Sequence, residues 1–246
     1  MTKPTEIELH VGHYGDRTGA SGYVDEVQFA RKFIKRIYDI LVANKVPATY
    51  YEDIVSKNQT QNINNLIAHH NADRNGLIVS GHLNASGSLT ERPIGVEVLY
   101  TTKKDLAAAV AKAMSDASGL INRGAKYRDN IGVFTKTYEP SISIEFGFVN
   151  SKKDVELLDK HFEAICQAVA KELAAAIGHK ITGNKKEEST VSQVLLNETG
   201  RAEAKGLIKK AVAAGIFEKS HLDKLDKYSD VELISYSVAY VNRTTK

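Results

Sequence analysis

Residues 77–84 read LIVSGHLN, a short apolar run that ends at a glycine and a histidine. Such a run is typical of a buried strand, and the glycine marks a place where the chain can turn. Two more stretches share this design, residues 7–13 (IELHVGH) and residues 141–148 (SISIEFGF), and they carry His13 and Glu145. Open α/β sheets place their functional side chains beyond the carboxyl ends of strands. The three stretches therefore predict a sheet with two histidines and a carboxylate near one edge.

The surrounding sequence alternates between strand-like and helix-like segments from residue 6 to residue 178. Apolar residues at helical spacing predict helices over residues 25–45 and 59–73. Short apolar runs predict further strands, which we place at residues 48–51, 95–100 and 131–134. About six strands with intervening helices predict a three-layer α/β domain over residues 1–178, with a mostly parallel, twisted sheet flanked by helices.

Two capping boxes predict where later helices begin. Thr102 and Asp105 precede one helix, and Ser151 and Asp154 precede a long helix over residues 155–177. In such a box the first side chain accepts a hydrogen bond from the backbone of the fourth residue, and this favours helix initiation.

The last quarter of the chain has a different character. Residues 179–191 contain few apolar side chains and are predicted to be a linker. Residues 192–246 have helical patterning and predict a small all-α C-terminal domain. Three short helices bury only a marginal core, so packing on the main domain or dimerisation through these helices would stabilise them.

Composition and charge exclude several classes of protein. The net charge is +3, and all of it comes from residues 180–246, which hold 12 Lys and Arg against 9 Asp and Glu. This excess slightly favours an anionic partner for the C-terminal domain. The sequence has no clusters of basic residues with interleaved aromatic residues, and this argues against nucleic-acid binding. No apolar run approaches the roughly 18 residues of a membrane span. The N-terminal residues lack the pattern of a signal peptide, which predicts that the protein is at first cytoplasmic.

Parity along the strands and helices selects candidate metal ligands. His13 and His82 each lie just past a strand, and Glu26 lies in the first turn of the helix that follows the first strand. Two histidines and a glutamate with one open position are typical of hydrolytic zinc sites. Asp25 is an alternative to Glu26, whose longer side chain is favoured. His10 lies on the opposite strand face from His13, so we expect it behind the ligands or in the core.

Glu145 has a different predicted role. Its strand is otherwise so apolar that burying a carboxylate without a partner would be costly. A nearby activated water would supply that partner, and Glu145 would act as general base and then general acid. Asn84 is expected to orient a loop or hold a ligand. His69 and His70 are expected on the surface of a weak helix.

Six segments, in this order, resemble one known family. They are GHYG at residues 12–15, the helix with Glu26, SGHLNA at 80–85, GVEVLY at 95–100, NRGAK at 122–126, and IEFGFVN at 144–150 with Asp154. Over residues 6–178 the chain resembles zinc-dependent N-acetylmuramoyl-L-alanine amidases of the amidase-3 type. That family commonly has a glycine where Tyr14 stands and an aspartate where His10 stands.

The resemblance implies that His13, Glu26 and His82 bind Zn²⁺ and that Glu145 is catalytic. It also implies the substrate, peptidoglycan, and the bond that a zinc-activated water would cleave, the amide between N-acetylmuramic acid and L-alanine of the stem peptide. The small appended domain and the lack of a signal peptide resemble a bacteriophage endolysin. Such an enzyme waits in the cytoplasm until a holin releases it to the cell wall.

In this interpretation residues 192–246 resemble a cell-wall-binding module in position and size, with an anionic wall polymer as one candidate ligand. Two other functions stay open at the level of sequence. One is a zinc carboxypeptidase or endopeptidase that acts on the stem peptide. The other is a non-catalytic cell-wall-binding protein.

Overall fold

A computed structural model of the chain describes residues 3–182, 196, 198–228 and 230–244. The chain divides into two compact units, residues 1–182 and residues 183–246. Most of the predicted linker, from residue 183 to residue 191, lies outside the described residues, as do residues 192–195. None of the helices in the described part of the chain combines the length and apolar composition needed to cross a bilayer.

The N-terminal unit is built on a six-stranded sheet with the order β2-β1-β3-β6-β4-β5. Every neighbouring pair is parallel except β4 and β6, which are antiparallel. The mostly parallel, six-stranded sheet confirms the predicted fold class. Its strands are β1 (Glu6–Val11), β2 (Ala48–Tyr51), β3 (Gly76–Asn84), β4 (Val96–Tyr100), β5 (Asn122–Tyr127) and β6 (Ser141–Phe148).

Helices cover the two faces of the sheet unequally. One face packs against α1 (Glu26–Ala43), α3 (Lys104–Ser118), α5 (Lys152–Lys160) and α6 (Phe162–Ile177), and this layer holds the main core. Phe33 of α1 and Phe146 of β6 stack at its centre with ring centroids 4.6 Å apart. Within residues 3–182, the other face has only α2 (Gln59–His70) and α4 (Gly132–Lys136), with a small core of Leu66, Ile78 and Val133. The thin covering leaves room for a cleft over β3 and β6.

Two local predictions were wrong. Residues 131–134 were predicted to be a strand, but Gly132–Lys136 form α4, which buries the adjacent Val133 and Phe134 together. The sixth strand is instead β5, an edge strand whose residues are exposed or half-buried and therefore lack an apolar pattern. The Thr102 capping box was also wrong, because α3 begins one residue later and its N-cap, Lys103, makes no side-chain cap.

The second capping box is confirmed in part. Ser151 accepts a hydrogen bond from the Asp154 backbone at 3.1 Å. The predicted long helix is interrupted at His161, so that α5 and α6 are separate helices. The Asp154 carboxylate does not complete the box. It is fully buried and accepts hydrogen bonds from the backbone N–H groups of Ile94, Gly95 and Phe148, at 3.0, 2.9 and 3.2 Å.

The C-terminal unit consists of α7 (Glu198–Ala213), a 3₁₀ helix (Lys219–Lys224) and α8 (Asp230–Thr244). It has an apolar core of its own, formed by Ala204, Ile208, Leu225, Tyr228 and Leu233. Arg201 forms an ion pair with Asp230, which joins the beginnings of α7 and α8. Among the described residues of this unit, all the regular secondary structure is helical, as the sequence predicted.

Candidate metal centre

Three side chains converge at the carboxyl edge of the sheet. His13 lies in the loop after β1, Glu26 is the first residue of α1, and His82 lies near the end of β3. Glu26 Oε1 is 3.1 Å from His13 Nε2 and 2.9 Å from His82 Nδ1. Each residue offers one ligand atom, and the three atoms lie within 4.8 Å of one another. The structure thus brings together the three residues predicted to be ligands.

The donor set fits zinc. Two imidazole nitrogens and one carboxylate oxygen are ligands that Zn²⁺ commonly takes in catalytic sites. The other oxygen of Glu26 accepts a hydrogen bond from the Ala20 backbone N–H at 2.6 Å, which holds the carboxylate in place while Oε1 points at both rings. His13, Glu26 and His82 are therefore the residues that would hold the ion.

The charge states of these groups depend on one another. Burial by itself would raise the pKa of Glu26, but the hydrogen bonds with His13 and His82 hold it well below its usual range. Burial by itself would lower the pKa of His82, but the Glu26 and Glu145 carboxylates raise it. The centre thus keeps Glu26 ionised, which is the form that binds a cation.

Backbone features position the two histidines. A Cβ atom at Gly12 would lie 2.2 to 2.5 Å from the His82 ring, so only glycine leaves space for this ring to lie against β1. His13 has a φ of 65°, a left-handed conformation that is unfavourable for a residue with a side chain. The Asn62 side chain donates a hydrogen bond to the His13 carbonyl oxygen at 3.0 Å and so supports that conformation.

Glu145 lies beside the centre, on β6, directly across from His82 in the register of β3 and β6. It is only 8% exposed, and with His10, His13, Ser80 and His82 it lines a cleft of about 210 Å³. Burial raises the pKa of Glu145 to about 7, with Glu26 and Glu97 acting in the same direction and His82 opposing. A carboxyl with such a pKa can both take up and release a proton near neutral pH.

Two other residues that the sequence offered for the site, Asp25 and Asn84, form hydrogen bonds with protein groups outside the three-residue cluster. Asp25 is the N-cap of α1 and accepts hydrogen bonds from the backbone N–H groups of Gln28 and Arg17, so it does not join the cluster. Asn84 donates to Glu97 Oε1 at 3.0 Å, and Arg123 donates to Glu97 Oε2 at 2.8 Å. Glu97 and Arg123 follow no motif that marks them as site residues, although both lie in segments that carry the family resemblance.

The expectation that His70 lies on the surface was wrong. His70 is 1% exposed because it is on the face of α2 that packs against the sheet, and it forms part of a buried hydrogen-bonded chain. Its Nδ1 is 2.5 Å from Glu8 Oε2, and its Nε2 is 2.9 Å from His10 Nδ1. His10 Nε2 is in turn 2.8 Å from Ser80 Oγ, at the cleft. His10 is buried beside the candidate ligands but lines the same cleft as His13, so the expectation that it lies on the opposite face was wrong, because the left-handed backbone at His13 ends the strand alternation.

Comparison with known proteins identifies the family to which residues 7–179 belong. A family model described as N-acetylmuramoyl-L-alanine amidase matches residues 7–179. An uncharacterized 38.4 kDa protein of Clostridium perfringens is 25% identical over 237 residues, which are 92% of this chain and 66% of that protein. The chain thus spans about two thirds of the length of that relative.

Solved structures share the fold of the N-terminal unit. The catalytic domain of the CD27L endolysin targeting Clostridia Difficile is 24% identical, with a TM-score of 0.61 over 72% of this chain and 99% of that chain. The CwlD amidase from Clostridioides difficile, in complex with the GerS lipoprotein, is 20% identical, with a TM-score of 0.61 over 70% and 98%. The CwlV amidase catalytic domain from Bacillus (Paenibacillus) polymyxa is 22% identical, with a TM-score of 0.57 over 71% and 99%.

Proposed function

Since the chain belongs to the N-acetylmuramoyl-L-alanine amidase family, we propose that it is a zinc-dependent peptidoglycan hydrolase. It cleaves the amide that joins the lactyl group of N-acetylmuramic acid to L-alanine of the stem peptide. The observation that supports this most directly is the convergence of His13, Glu26 and His82 beside the buried Glu145, at the edge of one cleft.

The roles of the residues follow from their positions. A zinc ion held by His13, Glu26 and His82 would supply Lewis acidity toward water and the scissile carbonyl. Glu145 takes a proton from the attacking water and returns it to the leaving nitrogen of L-alanine. Within residues 3–182, the thin covering of this sheet face leaves the cleft open to a polymer, while Glu26 and Glu145 belong to elements, α1 and β6, that pack in the main core from behind.

Digestion of purified peptidoglycan tests the proposal. The zinc-loaded protein is incubated with cell walls, with and without a chelator, and the products are analysed by mass spectrometry. We expect new N-terminal L-alanine with intact glycan chains, and no products in the chelator arm. Cleaved cross-bridges or shortened stems would instead indicate a zinc peptidase. Binding to walls without any new terminus would indicate a non-catalytic binding protein.

We further propose that the C-terminal unit binds the cell wall. Its own apolar core and the basic excess of residues 180–246 support this role. A pocket of about 570 Å³ in this unit has apolar walls flanked by two exposed lysines, and its lining is Lys209, Val212, Ala213, Lys219, Leu222 and Leu225. Lysine ammonium groups around an apolar pocket suit an anionic wall polymer.

A fusion of residues 180–246 to a fluorescent protein tests this role. We expect the fusion to label cell walls, and the double variant Lys209→Glu with Lys219→Glu to lose labelling. Lys227→Glu, an exposed lysine outside the pocket, is the matched control. If the fusion forms a dimer in light scattering and does not label walls, the unit serves for self-association.

For the biological setting, we propose host lysis by a phage endolysin. A hydrolytic unit joined to a separate wall-binding unit suits an enzyme that acts on the wall of its own host. Co-expression with a holin tests the idea. We expect rapid lysis with the holin and none without it, whereas lysis without a holin would contradict the proposed route of release.

A further inference from the structure

A buried hydrogen-bonded chain leads from the base of the sheet to the floor of the cleft. It runs from Glu8 through His70 and His10 to Ser80, and each of these four residues is at most 5% exposed. None of them belongs to the candidate zinc ligands, and the proposed reaction leaves them unused. Ser80 and His10 nevertheless line the same cleft as Glu145.

The direction of these hydrogen bonds is restricted by the chemistry of imidazole. A neutral imidazole has one N–H donor and one acceptor nitrogen. Two neutral histidines that are hydrogen-bonded to each other must therefore both donate in the same direction along the chain. Burial keeps both rings neutral, because it lowers the pKa of His70 to about 4 and that of His10 well below its usual value. The groups at the two ends therefore decide which way the chain points.

The Glu8 end favours an acceptor. Glu8 Oε1 and Glu139 Oε2 are both buried without a hydrogen-bond partner, and both lie against the bare Cα of Gly76. A single proton held by Glu139 and donated to Glu8 pairs both oxygens at once. Burial raises the pKa of both Glu8 and Glu139 to about 7, and the hydrogen bond between the two side chains lowers that of Glu8 and raises that of Glu139. The other oxygen of Glu8, Oε2, then accepts the hydrogen bond from His70.

Other charged groups near Glu8 do not change this assignment. Glu6 on β1 and Asp73 after α2 also carry carboxylates close to Glu8, and their charges raise its pKa. Within residues 3–182, the neutral His70 ring is the one basic side chain in hydrogen-bond contact with Glu8. Repulsion among the carboxylates therefore favours retention of a proton between Glu8 Oε1 and Glu139 Oε2, and the other oxygen of Glu8, Oε2, accepts from the His70 N–H on whichever residue that proton lies.

We propose that Glu8, His70 and His10 are positioning residues that turn the hydroxyl proton of Ser80 toward His10. The Ser80 oxygen then faces the cleft as a hydrogen-bond acceptor, and it selects substrates that present an N–H group there. Because the substrate is taken to be the peptide stem of peptidoglycan, this inference rests on the proposed function. A backbone amide of the stem is the class of donor that the Ser80 oxygen would bind.

The tautomers of the two histidines test the direction of the chain directly. The zinc-loaded full-length protein is labelled with ¹⁵N-histidine, and signals are assigned with His10→Asn and His70→Asn. We expect both rings as the neutral Nδ1–H tautomer between pH 6 and pH 8. The Nε2–H tautomer in either ring, or a charged ring, would overturn the proposal. This measurement needs no activity, so it is independent of whether the wall digestion succeeds.

A double-mutant cycle tests the link to the substrate. We expect Ser80→Ala to raise KM about tenfold with little change in kcat, since one hydrogen bond to the bound substrate is lost. His70→Leu should do the same, because it frees the Ser80 hydroxyl to rotate. In the double variant the effects should not add, since both changes remove one interaction.

His69→Leu is the matched control. His69 is the exposed neighbour of His70 on α2; it stacks on Tyr51 and takes no part in the buried hydrogen-bonded chain. This substitution should leave KM unchanged. Additive effects of Ser80→Ala and His70→Leu on KM, or an effect on kcat alone, would show that His70 does not act through Ser80. If His70→Leu is not recovered folded, His70→Gln replaces it in the cycle, and the tautomer measurement on the unaltered protein stands by itself.

Discussion

At the scale of single residues, the centre depends on small features that lie next to the proposed ligands. Gly12 gives space to the His82 ring, Asn62 supports the strained backbone of His13, and the Ala20 N–H orients Glu26. Motif spacing could identify His13, Glu26 and His82 as candidates, because strand ends and a helix start gather at one sheet edge. It could not reveal these supports, since they depend on loop conformation and on contacts between distant segments.

Gly12→Ala tests the importance of this space. The added Cβ would overlap the His82 ring at 2.2 to 2.5 Å, so the ring must move away from Glu26. Disturbing the groups that position metal ligands typically lowers metal affinity 10- to 100-fold, and we expect a loss of about that size. Zinc titration with a competing chelator measures it. Gly206→Ala is the control, because a Cβ at that position in α7 meets nothing, and unchanged zinc affinity in Gly12→Ala would contradict the argument.

Glu145→Gln separates proton transfer from metal binding. The amide cannot take a proton from water, so we expect kcat to fall by about 10² to 10⁴-fold while zinc stoichiometry stays at one. Release of L-alanine termini and metal analysis of the same preparation measure the two effects. Glu156→Gln, an exposed carboxylate on α5, should behave like the unaltered protein. A variant of Glu145 that hydrolyses walls at the normal rate would remove this residue from the reaction.

Glu139→Gln tests the shared proton through the pH dependence of stability. Burial and the Glu8 carboxylate raise the pKa of Glu139 to about 7, from an ordinary value of 4.5. The folded state therefore binds a proton more tightly than the unfolded state, and this stabilisation is lost as the pH rises through 7. Between pH 5 and pH 8 we expect the free energy of unfolding to fall by about 2 to 3 kcal/mol from this group.

The amide that this substitution introduces can accept from the Gly76 N–H and donate to Glu8 at every pH. Denaturant titrations should therefore show a smaller fall between pH 5 and pH 8 than in the unaltered protein. Glu91→Gln, an exposed carboxylate, should leave the fall unchanged. An equal fall in Glu139→Gln would mean that the shared proton lies elsewhere.

At the scale of elements, the sequence predicted those strands and helices whose burial is one-sided or complete. The β3 and β6 runs are fully or nearly fully buried and read clearly as apolar strands, and α1 has a broad apolar stripe. β5 and α4 were missed because an exposed edge strand has no alternation and a five-residue helix has no period. His70 was missed because a polar residue on a weak helix gives no sign that its partners, Glu8 and His10, are buried.

Asp154→Asn tests how one side chain joins three elements. Asp154 belongs to α5. Its carboxylate accepts hydrogen bonds from the backbone N–H groups of Ile94 and Gly95, before β4, and of Phe148, at the end of β6. An amide would replace one acceptor oxygen by an NH₂ group that faces at least one of these N–H donors, so we expect the free energy of unfolding to fall by about 2 to 4 kcal/mol. Urea titration measures the loss. Asp159→Asn, an exposed residue on the same helix, should cost little, and an equal cost for both would refute the assigned role of Asp154.

At the scale of the whole molecule, the cleft of the candidate site and the main hydrophobic core lie on opposite faces of the sheet. The main core lies on the sheet face under α1, α3, α5 and α6, whereas polar residues occupy the thinly covered face with the cleft. The C-terminal unit adds an independent core that contains none of the four predicted site residues. The sequence indicated this division through the change in composition after residue 178, but its patterning could not specify a ligand for the C-terminal helices.

Two perturbations should act on the two units separately. A ligand that binds only the folded state adds about 4 kcal/mol at a thousand times its Kd, so removal of zinc should lower the unfolding midpoint of the N-terminal unit alone. Gly206→Ala should raise the midpoint of the C-terminal unit alone, because alanine in the interior of α7 is favoured over glycine by about 0.5 to 1 kcal/mol. Calorimetry with and without a chelator, on both proteins, resolves the two transitions. If the chelator moves both transitions together, the units unfold as one, and the C-terminal unit could not be treated as an independent binding module.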